Sequence, residues 1–110
     1  MESWPGRATE APADLLRAFA DPVRRQLMER LVAGPSSTGD LALRLGLPRM
    51  NVGYHLGVLA AAGLIDLRRR KAVVRPEALT RLRCYFDAAL TTAAITLPGL
   101  AKPVANTTQP

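Results

Sequence analysis

Two clusters of side chains in this 110-residue sequence have the types and spacing to grip a nucleic acid. The first is Arg49, Met50, Asn51 and Tyr54, which lie towards the N-terminal end of a helix if residues 48–62 are helical, with Met50 and Tyr54 opposite its apolar stripe and Asn51 beside them. Arginine can fork onto a guanine edge or neutralise a phosphate, and asparagine can pair with adenine. Met50 or the Tyr54 ring can touch a thymine methyl, while the Tyr54 hydroxyl can instead reach a phosphate. His55 sits beside them at the edge of the same helix's apolar stripe, suited to packing or to contact with the DNA backbone. The second cluster is Arg68, Arg69, Arg70 and Lys71, four consecutive cations suited to phosphates or to a narrow minor groove. Taken separately, each cluster also fits a solvated surface. The whole chain leans the same way: 15 Lys and Arg stand against 9 Asp and Glu, a formal charge of +6, and thirteen of the fifteen are Arg.

Other chemistries lack their parts. A single Cys, Cys84, excludes an intramolecular disulfide and any multi-thiolate metal site. His55 is the only histidine and has no second ligand nearby in sequence, so no hydrolytic triad or zinc site can be assembled around it. There is no glycine-rich phosphate loop. No enzyme activity, cofactor or metal is expected. Only five aromatic residues are present, few for the stacking platforms that hold splayed RNA bases.

Both clusters need elements to hold them in place. Leu15, Leu16 and Phe19 predict a first helix over 12–20, and Asp21-Pro22 then caps and opens a second over 22–33 along Val23, Leu27 and Leu31. Ser37-Thr38-Gly39-Asp40 resembles a capping box and opens a short third helix that Gly46 ends. Val52, Leu56 and Leu59 give the fourth helix, 48–62, its buried stripe. Residues 64–67 and 72–75 are strand-like runs flanking the basic tip, and Pro76 opens a last helix over 76–94. A short helix, a glycine turn and a longer helix between 37 and 62 form a helix-turn-helix, whose second helix enters a DNA major groove by its N-terminal residues. The fold class is mostly α with a small β-hairpin, a winged helix-turn-helix in the order α-α-α-α-β-β-α.

At this point the sequence resembles the ArsR/SmtB family of bacterial repressors. The resemblance rests on Phe19-Ala20-Asp21-Pro22 with Arg24, Gly39-Asp40-Leu41-Ala42, Leu45-Gly46-Leu47, His55-Leu56 with Val58-Leu59 and Ala62-Gly63-Leu64, and Pro76-Glu77-Ala78-Leu79. It covers residues 15–87. It implies a homodimer built from the first and last helices, an inverted-repeat operator, and release when an inducer binds. Leu15, Leu16, Phe19, Leu82, Phe86 and Leu90 are the expected dimer interface. The chain departs from the family where metal would sit: the third helix has no Cys, and the last has Asp87 but no His. The wing is shorter than usual and lacks the Gly-Arg tip. Cys84 is the one candidate redox sensor, with a buried apolar role as the plainer reading.

The expectation is therefore a cytoplasmic, sequence-specific regulator with double-stranded DNA and a second copy of itself as partners, no membrane contact, and an unidentified small-molecule or redox inducer. It divides into a flexible arm over 1–11, one domain over 12–97 and a flexible tail over 98–110. The alternative is a winged-helix adaptor that binds another protein without reading DNA.

Overall fold

The computed structural model describes residues 12–96; the expected arm and tail lie outside them. Five helices and three short strands follow one another as α1 (Ala13–Phe19), α2 (Pro22–Ala33), β1 (Ser36–Ser37), α3 (Thr38–Leu45), α4 (Arg49–Ala61), β2 (Ile65–Arg68), β3 (Lys71–Val74) and α5 (Pro76–Thr96). The helices match the expected spans to within two residues. β1 was not expected. It pairs antiparallel with β3, so the hairpin becomes a three-stranded sheet in the order β1-β3-β2.

Local chemistry explains most of the boundaries. Asp21 caps α2, its Oδ1 accepting from the amides of Val23 (2.7 Å) and Arg24 (3.2 Å), and Pro22 supplies a first-turn residue with no amide to satisfy. The neighbouring arginines serve the helix before. Arg24 Nε donates to the Ala18 carbonyl and Arg25 Nη1 to the Phe19 carbonyl, both at 2.7 Å, which satisfies two acceptors at the C-terminal end of α1 and places positive charge where its dipole favours it. Ser37 caps α3 by accepting from the Asp40 amide at 3.1 Å, the serine half of the expected capping box. Gly46 (φ 68°) and Gly63 (φ 88°) end α3 and α4 in the left-handed region. In each case the following leucine amide returns to a carbonyl five residues back, Leu47 to Ala42 and Leu64 to Leu59, both at 3.0 Å.

The core lies where α2, α3 and α4 meet the sheet. Leu27, Leu41, Val52, Leu59 and Leu64 are fully buried, with Leu56 and Ile65 against them. The stripes expected on α2 and α4 are thus the buried ones, with Val23 only half-buried. Leu15 is also sealed inside the protomer at 1% exposure, so it offers no surface to a second copy, contrary to its expected place at an interface. Leu15 and Ala18 are used by the protomer's own core, while Leu16 and Phe19 stay half-buried. α5 divides along its length: Ala78 is buried and Leu79 and Leu82 pack on the core, while Phe86, Leu90 and Ile95 are exposed.

The wing tip departs from the expected four-residue loop. Arg68 pairs with Lys71 in the ladder, leaving only Arg69 and Arg70 in the turn. Both have positive φ, 45° and 71°, the signature of a type I′ turn made without the Asn or Gly that usually fills it. A left-handed conformation costs a residue with a side chain roughly 1–2 kcal/mol. Replacing the pair by Asn-Gly (Arg69→Asn with Arg70→Gly) is expected to raise stability by about 1–2 kcal/mol in urea denaturation. No gain, or a loss, would mean that the two arginines make compensating contacts in the free protein.

Candidate nucleic-acid interface

α4 shows two unlike faces. Val52, Leu56 and Leu59 are buried, whereas Arg49, Met50, Asn51, Gly53, Tyr54 and Gly57 are exposed, with Met50 at 80% and Tyr54 at 65%. Large apolar side chains so open to water on a helix with a well-filled opposite face offer contact area to something outside the protomer. No side chain caps the start of α4; Pro48 contributes its carbonyl to the amides of Asn51 and Val52 instead. The first turn therefore presents its own side chains, Arg49, Met50 and Asn51, to solvent.

Arg49 does not extend straight outwards. Its guanidinium lies over Gly39 in the first turn of α3, where a β-carbon on the glycine would stand 3.5 Å from Arg49 Cζ. The amide dipoles at a helix start are positive and Arg49 makes no ion pair among the described residues, although Asp40 stands in the same turn, so an anion between the guanidinium and the helix start would be favoured.

On the wing, charge is sorted by position. At the base Asp66 holds Arg68 (3.2 Å) and Arg75 (3.8 Å), and Arg75 also holds Glu77 (2.9 Å). The Glu77 carboxyl lies below its ordinary value, chiefly through its own backbone amide and then through Arg75, with slight burial opposing. Exposed pairs of this kind stabilise little, but they neutralise the arginines that they hold. Arg69, Arg70 and Lys71 are exposed and have no ion pair among the described residues. The expected cluster of four free cations is thus three, with Arg68 drawn down to Asp66.

His55 is half-buried, as its position beside the core stripe suggests. Arg24 Nη1 lies 3.2 Å from His55 Nδ1, and the His55 ring stands edge-on to Tyr54 with centroids 5.1 Å apart. Guanidinium can only donate, so in this contact Nδ1 accepts, which requires the tautomer with its proton on Nε2. Arg24 was not among the expected site residues. It joins α1, through the Ala18 carbonyl, to α4, through His55. Its only signal in the sequence was its place after Asp21-Pro22, since the histidine it meets is 31 residues away. Asp21 completes this junction. Burial raises its carboxyl, but the Arg24 and Val23 amides, with the charges of His55 and Arg24, outweigh that and hold it below its ordinary 3.8. A depressed carboxylate contributes its capping in full above pH 3.8 and loses it only as pH falls further, through the folded value.

Cys84 is exposed on α5, against the plainer expectation of a buried thiol. Among the described residues no three His, Cys, Asp or Glu side chains are grouped to hold a metal, and no helix is long and apolar enough to cross a membrane.

Comparison with known proteins points the same way as the geometry. Residues 19–68, from the end of α1 to the last residue of β2, match the model of a helix-turn-helix domain. The HTH-type transcriptional regulator Rv2034 of Mycobacterium tuberculosis is 38% identical over 81 residues, 70% of this chain and 76% of that protein. The structure of the transcriptional repressor BigR from Xylella fastidiosa superposes with a TM-score of 0.57 at 30% identity, covering 83% of this chain and 88% of that one. The structure of an ArsR family transcriptional regulator gives a TM-score of 0.68 over 73% of this chain and 92% of that one; at 23% identity it speaks for the fold alone. The chain spans only 59% of the biofilm growth-associated repressor of Xylella fastidiosa and 47% of the regulator CmtR of Mycobacterium tuberculosis.

Proposed function

The chain belongs to the ArsR family of winged helix-turn-helix transcriptional regulators, and from that premise we propose that it is a homodimeric repressor acting in the cytoplasm, without a metal, on an inverted-repeat operator. The observation that carries this reading is the presence, on one domain, of an outward α4 face and of wing-tip cations that no carboxylate neutralises among the described residues.

In this reading α4 enters the major groove. Asn51 and Met50 face base edges, Arg49 takes either a guanine or the phosphate that α3 also favours, and Tyr54 meets the groove wall. Arg69, Arg70 and Lys71 lie along the adjoining backbone or minor groove, and Arg68 joins them if it leaves Asp66. His55 acts from behind α4. Exposed Phe86 and Leu90 on α5, with half-buried Leu16 and Phe19 on α1 and Leu82, form the two-fold interface; two symmetric copies require half-sites about one helical turn apart. The protein is a regulator and not an enzyme, and its inducer is a small molecule or an oxidant, for which exposed Cys84 is the reactive candidate.

The test is binding of the purified protein to DNA from its own upstream region and to unrelated DNA, across a salt series. Arg49→Ala and Asn51→Ala are each expected to cost about 1–3 kcal/mol on the upstream DNA and less on the unrelated DNA. Equal, salt-sensitive binding to both DNAs would reduce the protein to a non-specific binder. No binding to either at low salt would sink the repressor reading in favour of an adaptor that grips an acidic protein face.

A further inference from the structure

We infer that the Arg24–His55 contact is a proton-sensitive latch on the recognition helix, closed when His55 is neutral and opened when it is protonated. The argument begins from what each partner can do. Arg24 keeps its charge at every accessible pH and can only donate, so the contact at 3.2 Å requires a free lone pair on His55 Nδ1. A proton on Nδ1 removes that lone pair and sets two cations face to face. Imidazole is the side chain whose charge ordinarily changes between about pH 5 and 8.

The surroundings decide what opening does. Arg24 is anchored on its other side, Nε donating to the Ala18 carbonyl at 2.7 Å, and its own amide is held by the Asp21 cap. The guanidinium cannot swing away without uncapping α1, so the repulsion falls on α4, the element whose other face is exposed. Asp21 is the carboxylate whose charge reaches His55, and it opposes part of the repulsion, but its Oδ1 is held at the α2 cap by the Val23 and Arg24 amides, so it stays with Arg24 and does not follow α4. On the α1 side Asp14 is paired with Arg17 at 3.1 Å, and on β2 Asp66 is held by Arg68 and Arg75. From α4 itself Tyr54 stands edge-on to the ring and moves with it. Tyr54 also lines, together with Arg24, Asp14 and Arg17, the open groove between α1 and α4, so a shift at the latch is carried to a side chain on the DNA-facing surface.

The consequence for binding has an unusual sign. Added positive charge ordinarily tightens a protein's hold on DNA as pH falls. Here acidification is expected to loosen specific binding, because it disturbs the helix that reads the sequence. This consequence rests on the repressor reading; the latch itself does not, and the two are tested separately. The free protein comes first. His55 is the only histidine, so its ring gives a single imidazole signal in NMR. Between pH 7.5 and 5.5 the Arg24 Nε signal and the backbone amides of residues 52–58 are expected to move along the same titration curve as that ring. His55→Asn, which keeps a neutral acceptor near the Nδ1 position, is expected to abolish the movement. A ring that titrates while Arg24 and α4 stay still would overturn the latch, whatever the protein does with DNA. If the asparagine variant fails to fold, the wild-type titration decides alone. Affinity for the upstream DNA at constant ionic strength then gives the second arm: at least a fivefold weakening from pH 7.5 to 5.5 in the wild type, and none in His55→Asn. A latch that titrates in the free protein without a change in DNA affinity would leave the latch standing and remove its role in recognition.

Discussion

Replacing Arg69, Arg70 and Lys71 together by alanine is expected to weaken binding to the upstream DNA on the order of a thousandfold at about 0.1 M salt. These are the wing cations that no carboxylate holds among the described residues. In a dimer they make six, and each phosphate neutralised adds about 0.9 to the slope of log affinity against log salt. The variant's slope should therefore be shallower by about five. Because the three side chains are exposed, the melting temperature should hardly change. Arg75→Ala provides the contrast. That residue is already paired with Asp66 and Glu77, so its loss should move the slope by less than one. A loss under tenfold with an unchanged slope would show that the wing does not touch DNA. About half the expected change in slope would point to one engaged wing instead of two.

The second large effect concerns folding. Leu59 is fully buried where α4 meets the core, and Leu59→Ala should cost about 3–5 kcal/mol through lost burial and the cavity left behind. A domain of this size has only about 5–15 kcal/mol in total and no disulfide to restrain its unfolded state. The melting temperature should fall by about 15 °C or more. Leu43→Ala is the matched control: the same chemical change on α3 at a residue 81% exposed should stay within about 0.5 kcal/mol. Both belong in one denaturation series at fixed protein concentration, since the proposed dimer would make apparent stability depend on concentration. A cost below about 1 kcal/mol for Leu59→Ala would mean that the core relaxes around the gap and does not fix α4 in place.

The parts of the fold that could be read directly were those whose causes are local. Asp21-Pro22, Ser37, Gly46 and Gly63 each start or stop a helix through bonds to residues at most five positions away, and the spacing of Val52, Leu56 and Leu59 declared which side of α4 is buried. What escaped was determined at a distance or against propensity. Two serines carry no strand pattern, and β1 exists only because β3 passes alongside, some 35 residues later. The turn of the wing was obscure because arginines occupy backbone conformations that sequence rules reserve for Asn and Gly. Periodicity marked the stripe on α1 but could not say whether its partner was the same chain or another, and Leu15 proved to belong to the same chain. At the site, Met50 and Tyr54 were readable by elimination from the buried stripe; the Arg24–His55 contact spans 31 residues and had no local trace.

The register of β1 has a further meaning for how the protein meets a duplex. Ser36 lies opposite Ala72 and Ser37 opposite Lys71, so this short strand braces the outer end of β3, next to the turn, and not its base. Ser37 is also the cap of α3. Only Arg69 and Arg70 project beyond the brace. The wing is thus a stub welded to the reading head, where a longer unsupported hairpin would behave as a whip. Most of the ordering entropy that such a hairpin loses on reaching DNA has already been surrendered when this chain folds. Productive encounters should then depend on the angle at which the rigid surface arrives, with little waiting for a loop to find its groove.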